Sequence, residues 1–123
     1  MKVIYPVLFY EEKDGQYSVF VPDFNNASTC GSTLEKAISM TEDLIFNLVL
    51  DCIEEDNKIP QARKIEDVTF EELENYLDIK NWVYISKFKT YISVDFDNFT
   101  EKKGKELVKK TVNIPKWIIL KAE

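Results

Sequence analysis

The sequence predicts an α+β domain over residues 1–97, with an antiparallel β-β-β-α-β order. Two observations carry this prediction. Asp14 and Gly15 stand between two runs rich in Val, Ile, Tyr and Phe, and Asp-Gly is a strong hairpin signal because glycine accepts the positive φ of a tight turn. Further on, Ser32 and Glu35 have the spacing of a capping box and precede a long apolar periodicity, which indicates the start of an amphipathic helix.

The strands follow from their composition and from the residues that end them. The second run stops at Pro22, which has no backbone N–H to give to a sheet, and the polar residues after it predict a turn. The last run alternates, with Tyr91 opposing Ile92, and its Lys87 and Lys89 suit an edge of the sheet. The four predicted strands cover residues 2–10, 17–21, 27–30 and 82–96.

Two helices are expected between the third and fourth strands. The first covers residues 33–55, where apolar residues recur every three or four positions and charged residues take much of the other side. Its expected N-cap is Ser32, which would bond the amide of Glu35. Residues 67–77 predict a second, shorter helix opened by Thr69 or Asp67.

The composition excludes several kinds of chemistry. The chain of 123 residues has no histidine and two cysteines, so Ser-His and Cys-His catalytic pairs are excluded and a zinc site lacks its usual ligands. Cys52 falls on the apolar side of the first helix and suits a small buried side chain. We expect no metal ion and no cofactor. No stretch is long and apolar enough for a membrane span, and the N-terminus lacks the pattern of a signal peptide, so a cytoplasmic protein is expected.

The charges are divided unequally along the chain. Residues 1–99 hold 9 Lys or Arg against 19 Asp or Glu, a net charge of −10, whereas residues 100–123 hold 7 Lys against 3 Glu, a net charge of +4. One interpretation is a solvated acidic surface with a lysine-rich end that keeps the chain soluble. The other is an acidic surface for a basic partner, with a basic segment for nucleic acid.

Several motifs, taken in their order, resemble the HicB-type antitoxins of toxin-antitoxin systems. They are YSVFVPDF at residues 17–24, TLEKA at 33–37, ISVDFDNF at 92–99 and KKTVNIPKWI at 109–118. The resemblance implies a degraded ribonuclease-H-like domain that binds and blocks a small basic toxin, HicA, which degrades RNA. Candidate toxin contacts are Asp23, on the turn after the second strand, and Glu35 and Glu42 on the long helix.

Residues 98–123 form a second predicted segment, a basic tail that resembles the start of a ribbon-helix-helix DNA-binding module. Nine residues follow Ile114, and residues 116–123 could supply at most ~12 Å of helix at 1.5 Å per residue, so the module is expected to be incomplete. If Val112 and Ile114 point inward, their neighbours in the strand point outward, where a dimer would present them to operator DNA. The predicted DNA-binding residues are Lys109, Lys110, Thr111 and Asn113. In the alternative, this strand completes the acidic domain of its own or a partner chain.

Two other functions compete with that of an antitoxin. One is an orphan structural or interaction protein that has no toxin. The other is a metal-dependent ribonuclease-H-like nuclease, for which Asp23, Glu42, Asp43 and Asp95 supply carboxylates. A nuclease needs these groups to converge, and a binding protein needs only a complementary surface. We therefore expect an antitoxin-like inhibitor without catalytic activity, which forms a dimer or a higher homo-oligomer and represses its own operon if the tail binds DNA.

Overall fold

The computed structural model describes residues 1–78 and 82–97. They form a four-stranded antiparallel sheet with two α-helices, so the predicted α+β fold is confirmed, and the expected second helix lies between the long helix and the last strand. The predicted basic C-terminal strand and ribbon-helix-helix-like tail lie outside the described residues. The elements are β1 (Lys2–Glu12), β2 (Tyr17–Val21), β3 (Ala27–Gly31), α1 (Leu34–Glu54), α2 (Phe70–Leu77) and β4 (Tyr84–Asp95), with short 3-10 helices at Pro22–Phe24 and Ile65–Asp67.

The strand order in the sheet is β3-β2-β1-β4. The first three strands form a meander, and the predicted hairpin joins β1 to β2, with Leu8 opposite Phe20. At its tip, Gly15 has a φ of 87° and donates its N–H to the carbonyl of Glu12 at 3.0 Å. This positive φ is the reason for glycine in the loop. The late strand β4 takes the place beside β1, so β3 and β4 are the two edges of the sheet that the described residues form.

Two asparagines make the reversal between β2 and β3. After the 3-10 helix Pro22–Phe24, Asn25 and Asn26 both have left-handed backbones, with φ of 55° and 57°. Asparagine tolerates this region better than most residues because its side chain bonds the local backbone. The polar turn predicted after Pro22 is therefore present, in the form of a helical turn followed by two left-handed residues.

The start of α1 differs from the prediction by one residue. Its N-cap is Thr33, whose Oγ1 accepts the N–H of Lys36 at 3.1 Å. The predicted capping box between Ser32 and Glu35 is wrong, because the cap lies one position later and Lys36 occupies the place where a reciprocal acid would stand. The second helix starts as one of the two alternatives predicted, with Thr69 as its cap.

In residues 4–92, a helix packs on each face of the sheet. On one face, α1 packs against β2 and β3 and buries Ala37, Ile45 and Val49 completely. On the other face, Leu8 and Tyr10 of β1 form a second core with side chains from α2 and from the segments on either side of it. The members of this second core are Leu8, Tyr10, Val68 and Leu73, with Phe20, Phe70, Leu77, Trp82 and Tyr84 packed against them.

The chain divides into two compact units. Of the described residues, the larger unit holds residues 4–92, and the smaller combines Met1–Val3 with residues 93–97. Within the smaller unit, the N–H of Phe96 donates to the carbonyl of Met1 at 2.8 Å, and the terminal amino group lies 3.9 Å from a carboxylate oxygen of Asp97. The boundary at residue 97, expected from the sequence, stays a prediction.

Candidate partner-binding surfaces

Asp23, a predicted toxin contact, is held by an arginine of its own chain. The backbone N–H and the Nε of Arg63 donate to its two carboxylate oxygens at 3.1 and 2.7 Å, and the Asp23 side chain is only 4% exposed. The hydrogen bond to Asp23 is the main reason why the pKa of Arg63 lies above its usual value. Most of the Asp23 carboxylate is therefore already covered within the chain.

The same contact fixes the long connection between α1 and α2. Besides the Arg63 contact, the hydroxyl of Tyr5 donates to the carbonyl of Pro60 at 2.6 Å. Burial, with smaller effects of Asp23 and Cys52, raises the pKa of Tyr5 to about 12. Two anchors thus hold a segment that the sequence marked only as loop. The sequence does carry one signal for this contact, because Arg63 is the single arginine among 16 basic residues. The planar guanidinium group of arginine binds a carboxylate through several donors, which a lysine cannot do, so a lone arginine indicates such a pair.

The other two predicted toxin contacts lie on α1. Glu35 is exposed in the first turn, and Glu42 is partly buried. Seven residues of helix place them on the same side, about 10.5 Å apart along the axis. The structure thus brings Glu35 and Glu42 to one helix face and leaves Asp23 at the end of β2.

The second helix is strongly acidic, and part of its charge is neutralised by β4. Lys87 donates from Nζ to Oε2 of Glu74 at 3.0 Å, and the hydroxyl of Tyr10 donates to the same oxygen at 3.0 Å. Burial, followed by the hydrogen bond to Glu74, raises the pKa of Tyr10 well above its usual value. The Lys87 Nζ also lies 4.9 Å from the centre of the Phe70 ring, a distance at which a cation and an aromatic face attract.

Apolar side chains are exposed where β4 begins. Val83 and Ile85 are 69% and 61% exposed, and Tyr76 near the end of α2 is 66% exposed. No pattern in the sequence marked these three residues as a surface. The exposure of Val83 and Ile85 could not be predicted from the alternation of the strand, because it depends on whether another segment covers the edge of the sheet.

Two further observations concern cofactors and membranes. In residues 1–78 and 82–97, no three side chains of the types His, Cys, Asp and Glu come together as a metal site. Cys30 is exposed and Cys52 is partly buried, both as free thiols. Among the helices of the described ranges, none has the length and apolar character needed to cross a membrane. The predicted DNA-binding residues Lys109, Lys110, Thr111 and Asn113 lie outside the described residues.

Two solved structures have a similar fold. A toxin-antitoxin complex from Streptococcus pneumoniae contains a chain that is 31% identical in sequence, with a TM-score of 0.70, over 96% of this chain and 84% of that chain. The Burkholderia pseudomallei antitoxin HicB is 19% identical, with a TM-score of 0.53, over 90% of this chain and 87% of that chain, and it supports the fold alone. Fold and sequence together define a protein of the toxin-antitoxin class.

The family within that class follows from a family model. The model of the HicB-like antitoxin of bacterial toxin-antitoxin systems matches residues 5–121, nearly the whole length of the sequence. The chain belongs to this family of HicB-like antitoxins. A comparison with curated proteins finds no match. The resemblance found in the sequence motifs is confirmed, while the absence of catalytic activity, the cytoplasmic location and the homo-oligomer stay predictions.

Proposed function

We propose that this antitoxin binds and inhibits a small basic RNA-cleaving toxin of HicA type. The observation that carries the proposal is the net charge of −10 in residues 1–99 of a chain that belongs to an antitoxin family. A toxin that cleaves RNA needs a basic surface for the phosphate backbone, and an acidic protein competes for that surface. Opposite charges also accelerate the encounter of the two proteins, more strongly at low salt.

The α1 face with Glu35 and Glu42 is the proposed centre of this contact. Glu35 is exposed, and Glu42 stands two turns further on the same side of the helix. Asp23 contributes at the margin, because Arg63 already binds its carboxylate. A basic side chain of the toxin would have to displace the Arg63 side chain before it could pair with Asp23.

An inhibition assay tests this proposal. The small basic protein encoded beside the gene cleaves a labelled RNA, and the antitoxin is titrated into the reaction at low and at high salt. We expect stoichiometric inhibition, and we expect Glu35→Gln with Glu42→Gln to weaken binding about tenfold, in the range of a charged contact that becomes desolvated.

Asp51→Asn with Glu54→Gln is the matched control, since it removes the same charge from exposed positions near the other end of α1. Equal losses in the two double variants would reject the assignment of the contact to the Glu35 and Glu42 face. An unaffected toxin would reject inhibition and favour an orphan interaction protein. Cleavage of RNA by the antitoxin alone, dependent on metal, would favour the nuclease.

The basic segment carries a second proposed activity, the binding of operator DNA by a dimer. Its support is the net charge of +4 in residues 100–123 and the extent of the family match to residue 121. In this proposal, Thr111 and Asn113 read base edges, and Lys109 and Lys110 contact bases or phosphates. A band-shift experiment with the DNA upstream of the gene tests it. Binding that is lost when Thr111 and Asn113 become alanine would support readout, and no binding at low salt would reject it.

A further inference from the structure

The first half of β4 is unusually exposed for part of a sheet. Ile85 is 61% exposed, residues 86–88 are exposed as well, and Val83, just before the strand, is 69% exposed. The strand is also the last in the order β3-β2-β1-β4, so within the described residues no strand pairs with its outer edge. Unpaired backbone groups and apolar side chains therefore occur together at one place, a combination that favours pairing with a further strand.

The lysines that normally protect such an edge are engaged elsewhere. Lysine side chains on an edge strand discourage pairing because a partner would have to bury their charge. Here the Nζ of Lys87 bonds Glu74 at 3.0 Å. The Nζ of Lys89 bonds the carbonyl oxygens of Ile65 and Val68, both at 2.9 Å. Both ammonium groups therefore bind the segment before and within α2. Their charges do not protect the apolar beginning of β4 from pairing with another strand.

The opposite edge of the sheet does not share these features. Its strand, β3, has five residues, ASTCG, and none of them is a large apolar side chain. A partner that added a strand to β3 would find backbone groups but no apolar side chain to anchor it. A strand added at β4 would find backbone groups and apolar side chains together. In such contacts the backbone hydrogen bonds give affinity, and the side chains at alternate positions give specificity.

The charge around this edge selects the kind of partner. Where β1 runs beside the first half of β4, it carries Glu11 and Glu12, and the hydroxyl of Ser86 donates to Glu11 at 2.9 Å. The adjacent helix α2 adds Glu71, Glu72 and Glu74. Pairing with a second copy of the edge would bring two such acidic surfaces together, and like charges in an interface are unfavourable. A basic strand would instead be attracted by this acidic surface.

From these observations we propose that residues 83–88 bind an extended strand of a basic protein, with Val83 and Ile85 as apolar anchors. This inference rests on the proposed function, since the partner of that chemistry is the toxin. The strand would extend the sheet beyond β4, its backbone would supply the hydrogen bonds, and the acidic surface formed by β1 and α2 would attract its basic side chains. The contact is separate from the α1 face with Glu35 and Glu42.

The test compares two isoleucines that undergo the same substitution. Ile85→Lys places a charge at the open edge, while Ile4→Lys places the same charge at a residue that is 47% exposed on β1, a strand with neighbours on both sides. The dissociation constant of the complex with the basic protein encoded beside the gene is measured by calorimetry. We expect Ile85→Lys to weaken binding about tenfold or more, and Ile4→Lys to change it by about twofold or less. Circular dichroism checks that both variants are folded.

Hydrogen exchange supplies a second readout that does not need a variant. In the complex, the amides of residues 83–88 that face the open edge gain protection, as expected when they enter a sheet. Equal affinities of the two variants for the partner, or no gain in protection, would overturn the proposal while the inhibition itself stands. Protection of these amides in the free chain, or a change in self-association caused only by Ile85→Lys, would assign the edge to another occupant and also overturn it. If the unchanged antitoxin does not bind the basic protein, the proposed function fails, and this inference with it.

Discussion

Removal of the Arg63 side chain is expected to destabilise the domain through Asp23. The Nε of Arg63 bonds a carboxylate that is 4% exposed, so Arg63→Ala leaves a nearly buried charge with only a backbone N–H. A hydrogen bond to a charged group contributes about 1.5–3 kcal/mol to stability. The pair of Arg63 with Glu72 is expected to be weaker. Its nitrogen and oxygen are 3.4 Å apart, and the Glu72 side chain is 65% exposed. An exposed pair of this kind contributes about 0.5 kcal/mol or less.

Double-mutant cycles measured by urea unfolding separate the two contacts. The cycle of Arg63→Ala with Asp23→Ala is expected to give a coupling energy of about 1.5–3 kcal/mol, and the cycle with Glu72→Ala about 0.5 kcal/mol or less. The first coupling should persist in 1 M salt, since a covered pair is screened much less than an exposed one. Similar couplings in both cycles, or loss of the first in salt, would show that burial of Asp23 does not control the strength of its pairing with Arg63.

Three further predictions concern the helix cap, the second core and the response to alkali. Thr33→Ala removes the oxygen that accepts the Lys36 N–H, so unfolding should become easier by about 1 kcal/mol, while Ser32→Ala has almost no effect. Leu73→Ala in the second core, where the side chain is 1% exposed, should cost about 2–5 kcal/mol in the same assay. Because the pKa of Tyr5 rises from 10.0 to about 12 on folding, the unfolded chain loses this proton first. Stability should therefore fall as pH increases from about 10 to about 12, and Tyr5→Phe should flatten that slope in urea titrations at each pH.

The ranges of the strands and of α1 could be predicted from the sequence, because turn residues, proline and the spacing of apolar residues determine them locally. The β2 range was predicted without error, since Gly15 marks its turn and Pro22 its end, and the prediction of β1 was short by two residues at the hairpin. The predicted helix at residues 33–55 includes α1 with one residue added at each end. Its cap was wrong because Ser32 and Thr33 have the same capping chemistry, and only the backbone decides between them.

The surface features were not accessible in the same way. The pairing of Asp23 with Arg63 joins residues 40 positions apart, and no local pattern reports such a distance. The lysines of β4 were expected at an edge, and among the described strands β4 is one. Their contacts with the segment before and within α2 depend on the course of residues 55–69. Exposure of Ile85 likewise depends on what lies beside the strand. The sequence therefore predicts which residues are polar or apolar, and tertiary contacts decide which of them stay available.

The tight junction between β3 and α1 has a consequence for how this fold varies in evolution. A Cβ on Gly31 would collide with the backbone of Ala37 in the first turns of α1, and only residues 32 and 33 separate the strand from the helix. An insertion or a larger side chain here would push the helix off the strand against which it packs. The connection from residue 55 to residue 69 is fixed by a few side-chain contacts instead, and its length is less constrained. We expect homologous chains to keep glycine and the same spacing at residues 31–33, and to gain or lose residues mainly between the two helices.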